Sequence, residues 1–224
     1  MTQDQQTEIR FQDETEIHFP TTVMQRQYEG VDTLNQSLFQ LIVKMQDKYA
    51  DTDGNAVNSG KISTQGGYQT STNMNLFTLE NEVIKELKAR IIMPAAMEYL
   101  RQVFGAESSQ LDPWPVGWAN ILGEGDWQGP HNHPTDKNVA SGVYYVHMPD
   151  EKPKPQGCIE FINPIPESVH HGFPATRRLN PKEGLMVLFP PYYTHYVHPF
   201  RGPGQRAIIA FDLLAQKPGM QFVF

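Results

Sequence analysis

The sequence predicts a mainly β protein whose helices are confined to its N-terminal part. Apolar residues recur at helical spacing only between Asp32 and Phe104. After Gly105 the chain breaks into short segments rich in aromatic and β-branched residues, and 18 prolines and 17 glycines in 224 residues supply the turns between them. Short segments with this punctuation form antiparallel strands. Two sheets folded as a jelly roll bury that many strands more economically than one open sheet.

Each element follows from its residues. Between Asp32 and Tyr49, Leu34, Leu38, Leu41, Ile42, Met45 and Tyr49 fall on one helical face, with Asp32 or Thr33 as the expected cap. Gly54 to Gly67 is polar and rich in Asn, Ser and Gly, and reads as a loop that Gly66-Gly67 closes. A second helix runs through Val83, Ile84, Leu87, Ile91, Met97, Leu100 and Phe104, capped by Thr78, kinked or divided at Pro94 and stopped at Gly105. The expected strands are 117–122, 140–147, 158–162, 185–189, 195–199 and 205–214, with 70–77 available as an edge. One domain is expected over 1–224: residues 1–105 form a helical and edge-strand part, packed on a jelly-roll core of residues 106–224 that carries the site.

Composition removes several function classes. A net charge of -7 argues against a phosphate-binding surface, because nonspecific nucleic-acid affinity needs clustered Lys and Arg; Arg177-Arg178 is only a local exception. The single cysteine, Cys158, excludes an intrachain disulfide. Met1 to Arg10 lacks the apolar centre of a signal peptide, and no apolar run approaches the ~20 residues of a membrane helix. A cytoplasmic protein is therefore expected, with no membrane or nucleic-acid partner. A homodimer is left open.

The chemistry concentrates at His131-Asn132-His133, His195 and Arg206. Side chains one residue apart on an extended backbone share a face, so His131 and His133 form a bidentate start for a metal. His195, brought in by a later strand, would close one face of an octahedral site and leave the opposite positions open. His198, three residues on, faces the other way; His18, His147, His170 and His171 read as ordinary surface or core residues. Arg206 follows His195 across a Gly202-Pro203-Gly204 turn that suits a hairpin. Its position alone fits a strand end in water equally well. Pointed into an apolar barrel, its guanidinium needs an anion, and a carboxylate is the matching bidentate partner.

His131-x-His133, His195 and Arg206, together with Ser141-Gly142-Val143-Tyr144-Tyr145-Val146 and Leu188-Phe189-Pro190, resemble the iron(II)- and 2-oxoglutarate-dependent oxygenases. Within them the chain is most similar to a bacterial and phage branch with HxH...H in place of HxD...H. The similarity is specific from Trp118 to Phe211 and reaches the earlier segments His18-Phe19-Pro20 and Gly66-Gly67-Tyr68-Gln69-Thr70. It implies a double-stranded β-helix core of the jelly-roll, cupin-like kind, with Fe(II) and 2-oxoglutarate as cofactors. Carried over by position, His131 is the first iron ligand and His195 the distal one. Arg206 then clamps the far carboxylate of 2-oxoglutarate, Tyr145 supports that carboxylate, and Asn120 touches the other end of the cosubstrate.

The departure from the usual pattern is His133, which stands where most relatives have Asp or Glu. Either the site is a neutral three-histidine triad or Asp136 folds back to supply an oxygen; strand alternation favours His133. The resemblance implies oxidative decarboxylation of 2-oxoglutarate coupled to hydroxylation of a C–H bond, the substrate being a peptidyl proline, another amino-acid residue or a small metabolite. Trp118, Trp127, Tyr192 and Tyr193 are candidate pocket walls, and 149–155 and His170-His171-Gly172-Phe173 candidate entrance loops. Two other readings use the same fold: a cupin-like metalloenzyme without 2-oxoglutarate, for which Arg206 would be dispensable, and a noncatalytic jelly-roll binding module, for which His131 would be.

Overall fold

Strand-forming residues dominate after Leu111, and there the backbone pairs into two antiparallel sheets. The computed structural model describes residues 21–50, 63–71, 74–133, 135–149 and 156–216. His18-Phe19-Pro20, most of the 54–67 loop and residues 150–155 of the first entrance loop lie outside them.

In chain order the elements are β1 (Met24–Gln27), α1 (Asp32–Ala50), β2 (Thr64–Gln65), β3 (Tyr68–Gln69), α2 (Glu82–Leu87), α3 (Met93–Phe104), β4 (Asp112–Leu122), β5 (Trp127–His131), β6 (Asn138–His147), β7 (Ile159–Ile162), β8 (Thr176–Leu179), β9 (Leu185–Phe189), β10 (His195–Val197) and β11 (Arg206–Gln216). The larger sheet has the order β1-β9-β6-β11-β4-β3 and the smaller β2-β5-β10-β7-β8. This is the predicted two-sheet jelly roll with helices in the N-terminal part.

Period-two alternation along the long strands sorts residues between two layers. On β11, Ala207, Ile209, Phe211 and Leu213 face the helices and pack with Leu38, Ile42, Leu87, Ile92 and Tyr99. Its Ile208 faces inward and packs with Val143, Tyr145, Phe161 and Phe189. β6 is covered on both faces, which is why the run from Asn138 to Val146 is buried. The Tyr144 hydroxyl hydrogen-bonds Asn35 Oδ1 at 2.8 Å and ties the sheet to α1.

Several expected details differ. Asp32 lies in the first turn of α1, where its charge suits the helix dipole. The cap of α2 is Asn81, whose Oδ1 accepts from the Val83 and Ile84 amides, while Thr78 ends a short 3-10 turn. The second helix is divided by a π turn over Lys88–Ile92, immediately before Pro94, which has no N–H to give to the Arg90 carbonyl. Gly105 stops α3 with φ 56°. The described residues of 70–77 do not form a strand: β3 is Tyr68–Gln69, and Asn75 caps the turn Leu76–Thr78. The segment read as a loop before Gly66 contains β2. β10 and β11 are not a hairpin; they belong to different sheets, so the Gly202–Gly204 segment carries the chain from one sheet to the other. Among the described residues no helix is long and apolar enough to cross a membrane.

Candidate active site

The two sheets bring the chemistry of the sequence to one cavity of about 300 Å³. The smaller sheet supplies His131, the last residue of β5, and His195, the first of β10; the two are direct register partners although 64 residues apart in the chain. His133 lies two residues beyond the end of β5, where its amide donates to the Pro191 carbonyl at 2.8 Å. The rings converge: centroids are 4.3 Å apart for His131 and His195, 5.1 Å for His131 and His133, and 5.4 Å for His133 and His195. One ring nitrogen of each lies within 4.8 Å of the others, close enough that the three could hold one metal ion. Asp136 is exposed in the following turn and is not part of this group.

The outward nitrogens are already engaged. His131 Nδ1 lies 2.7 Å from the Gly129 carbonyl and His195 Nδ1 2.9 Å from the Tyr193 carbonyl. A carbonyl only accepts, so each Nδ1 carries the proton and each Nε2 keeps a lone pair for a metal. Burial pushes both imidazoles down, His131 to about 4 and His195 to about 3, with the neighbouring rings adding to the effect, so both are neutral near pH 7. Three neutral nitrogens suit a divalent first-row metal.

The larger sheet supplies the rest of the cavity. Arg206, the first residue of β11, pairs in register with Leu122 of β4, and its side chain is buried. Its Nε and Nη1 have no hydrogen-bond partner, nor does the buried Tyr145 hydroxyl. The guanidinium carbon lies 5.2 Å from the centre of the Tyr145 ring. Burial pushes the Tyr145 phenol up and the Arg206 guanidinium down. A buried cation with two idle donors, beside an idle phenol, is costly unless an anion meets it. That arrangement fits the carboxylate of 2-oxoglutarate.

Asn120 is buried on β4. Its Nδ2 donates to Gln69 Oε1 at 3.0 Å, while Oδ1 has no partner. Trp118 lines the cavity and stacks on His133, with centroids 5.7 Å apart. The other proposed wall residues do not line it: Trp127 and Tyr192 are exposed, and Tyr193 is buried against Phe161. His198 points away from the triad and pairs with Glu160. His170 and His171 end a 3-10 turn, after which Phe173 is 62% exposed.

Sequence reasoning missed three polar residues here. Thr64 and Gln128, on the β2–β5 edge, join Gln69 and Asn120 in a buried network. Their signal was weak, since β2 has only two residues. Asp212 also lines the cavity, and alternation along β11 from Arg206 would have found it.

Residues 117–212 match the model of a family described as "Putative 2OG-Fe(II) oxygenase". No curated protein matches the chain. Among solved structures, a Pseudomonas putida prolyl-4-hydroxylase aligns with a TM-score of 0.62 at 14% identity, covering 86% of this chain and 91% of the other. A Trichoplax adhaerens prolyl hydroxylase, solved with a hypoxia-inducible-factor peptide fragment, aligns at 0.58 and 12% identity over 86% and 83%. HygX from Streptomyces hygroscopicus, solved with nickel and 2-oxoglutarate, aligns at 0.56 and 10% identity over 87% and 83%. The chain thus shares its fold along most of its length with these structures, and the strands that carry the site, residues 117–212, are similar to the 2OG-Fe(II) oxygenase family.

Proposed function

We propose that the protein is a hydroxylase in which His131, His133 and His195 hold iron(II), while Arg206, supported by Tyr145, holds the far carboxylate of 2-oxoglutarate. The observation that carries this is the buried guanidinium with idle donors, in the same cavity as the convergent imidazoles. When bound, iron and 2-oxoglutarate together would use dioxygen as the oxidant, one oxygen atom going to succinate, which leaves with carbon dioxide, and the other to the hydroxylated product.

The chain's own residues do the holding. Nδ1–H bonds to the Gly129 and Tyr193 carbonyls fix two ring orientations, so no reorientation is needed when metal arrives. Arg206 and the Tyr145 hydroxyl present donors to a carboxylate in a water-poor interior, where a charge-assisted hydrogen bond is strongest. Apolar walls around Val143 and Ile208, with Trp118 beside His133, keep the cavity dry. Asn120 is assigned to the other end of the cosubstrate through its unpartnered Oδ1, which favours a donor on the bound molecule or a bridging water.

For the substrate we assign an amino-acid residue, peptidyl proline first. Two of the neighbours in fold are prolyl hydroxylases, and one of them was solved with a peptide.

The test is direct. Protein loaded with iron(II) binds 2-oxoglutarate and releases succinate when offered proline-containing peptides, which gain one oxygen by mass. Arg206→Ala loses about 2–5 kcal/mol of 2-oxoglutarate binding, the cost of removing one partner of a buried charged pair, while metal binding is kept. Metal-loaded protein that binds no 2-oxoglutarate, or an Arg206→Ala protein that binds it normally, overturns the assignment.

A further inference from the structure

We infer that Asp212 is a positioning carboxylate for the metal centre, acting through His133. The inference rests on the triad proposed above and adds a residue to it. Of the three rings, two turn Nδ1 to a backbone carbonyl; the third, His133, turns Nδ1 to Asp212 Oδ1 at 3.4 Å. That third ring stands where related oxygenases carry their own carboxylate. The charge missing from the ligand set thus reappears one residue behind it, on a different strand.

The carboxylate is itself held in place. Asp212 and Ser141 are register partners on β11 and β6, and the Ser141 hydroxyl donates to Asp212 Oδ1 at 2.7 Å. Asn138 Nδ2 donates to the His133 carbonyl at 2.9 Å and to Ser141 Oγ at 3.3 Å. The backbone of His133 is therefore bonded to, and its ring faces, one polar chain in the larger sheet, the buried Asn138 and Ser141 and the half-buried Asp212. This matters most for His133 because it lies beyond the end of β5, where its sheet no longer fixes it.

Physically, a carboxylate facing Nδ1 holds the proton there. The Nε2 lone pair stays available, and electron density moves toward it. Three neutral imidazoles leave the whole dipositive charge of a bound metal uncompensated, and an anion one ring away offsets part of it without occupying a coordination position. The remaining positions stay open to cosubstrate and oxygen.

The test titrates metal-free protein with cobalt(II), following the visible absorption of the bound ion. Wild-type protein that binds no cobalt defeats the triad itself, a result distinct from failure of this inference. Given wild-type binding, Asp212→Asn, which keeps shape and an acceptor but removes the charge, weakens cobalt affinity by ~10–100-fold. It also shifts the absorption band. At saturating cobalt, 2-oxoglutarate still binds, no more weakly than to wild type, whereas Arg206→Ala keeps the metal and loses 2-oxoglutarate.

In a His133→Ala background, Asp212→Asn has no further effect on metal affinity, because the route through the ring is gone. Should Asp212→Asn fail to fold, Ser141→Ala, which releases the carboxylate, carries the same expectation of weaker cobalt binding. Affinity within a few-fold of wild type in the folded variants, or an equal loss with and without His133, overturns the inference.

Discussion

At the scale of single residues, the site is set by where protons and charges are permitted. Desolvation holds the half-buried His131 at about 4 and the buried His195 at about 3, below the ordinary 6.5 of an imidazole. Between pH 6.5 and those values the unfolded chain binds protons that the folded, metal-free chain refuses. Its stability is therefore full at neutral pH and falls as pH is lowered. Denaturant midpoints of metal-free protein measured at pH 7 and pH 5 should show a lower value at pH 5, and His195→Asn should flatten the difference. An equal midpoint at both pH values would contradict the burial of the rings. Glu160 on the outer side of the smaller sheet contrasts with them: burial alone would raise it, but bonds from Thr176, His198 and Arg178 hold it at about 2. The contribution of that cluster persists until strongly acidic pH. The residue types of the site were legible in the sequence because HxH with a distant His is rare chemistry, whereas the burial of Arg206 was left open until the fold placed it. Asp212 shares the Arg206 face of β11, but an aspartate in a strand is unremarkable until Ser141 on the neighbouring β6 and His133, just past β5 of the other sheet, meet it.

At the scale of elements, capping and register do the positioning. α2 has only six residues and depends on Asn81, whose side chain accepts from two otherwise orphan amides. Asn81→Ala should cost about 1 kcal/mol and lower the melting temperature without altering metal or 2-oxoglutarate affinity, since α2 packs on the far side of the larger sheet. A loss of metal binding in that variant would mean the helices and the site are coupled. The long strands were readable from their β-branched and aromatic runs, and their limits in the sequence fell within a few residues of β4, β6, β9 and β11. The short β1, β2, β3 and β8 were not: strands of two to four residues carry too few side chains to show a period, and they exist because a neighbouring strand offers hydrogen bonds. The expected β10–β11 hairpin fails for a related reason. A Gly-Pro-Gly turn fixes a change of direction, but which sheet receives the next strand is decided by its inner and outer faces. β11 is long and apolar on the face that packs against the helices, and only the larger sheet offers that environment.

At the scale of the whole molecule, the jelly roll serves to oppose two sheets whose inner faces differ in chemistry. The smaller sheet presents imidazoles and the larger presents Arg206, Tyr145 and Asp212, so a metal and an anionic cosubstrate would bridge them. Ligands that bridge two layers of the folded state stabilise it by mass action. Metal, and then 2-oxoglutarate on the metal-loaded protein, each at about 100 times its dissociation constant, should each add about 2.7 kcal/mol and raise the melting temperature by roughly 5–10 °C. Arg206→Ala should abolish the part due to 2-oxoglutarate. A melting temperature indifferent to both ligands would count against a site between the sheets. The sequence by itself determined the two-sheet architecture, the helical N-terminal part and the donor set, because periodicity and residue chemistry are local properties. Tertiary structure alone decided which strands neighbour one another, that His131 and His195 are register partners, and that a carboxylate from β11 stands behind His133. Those are contacts between residues far apart in the chain, selected by the simultaneous burial of many side chains, and no single segment contains them.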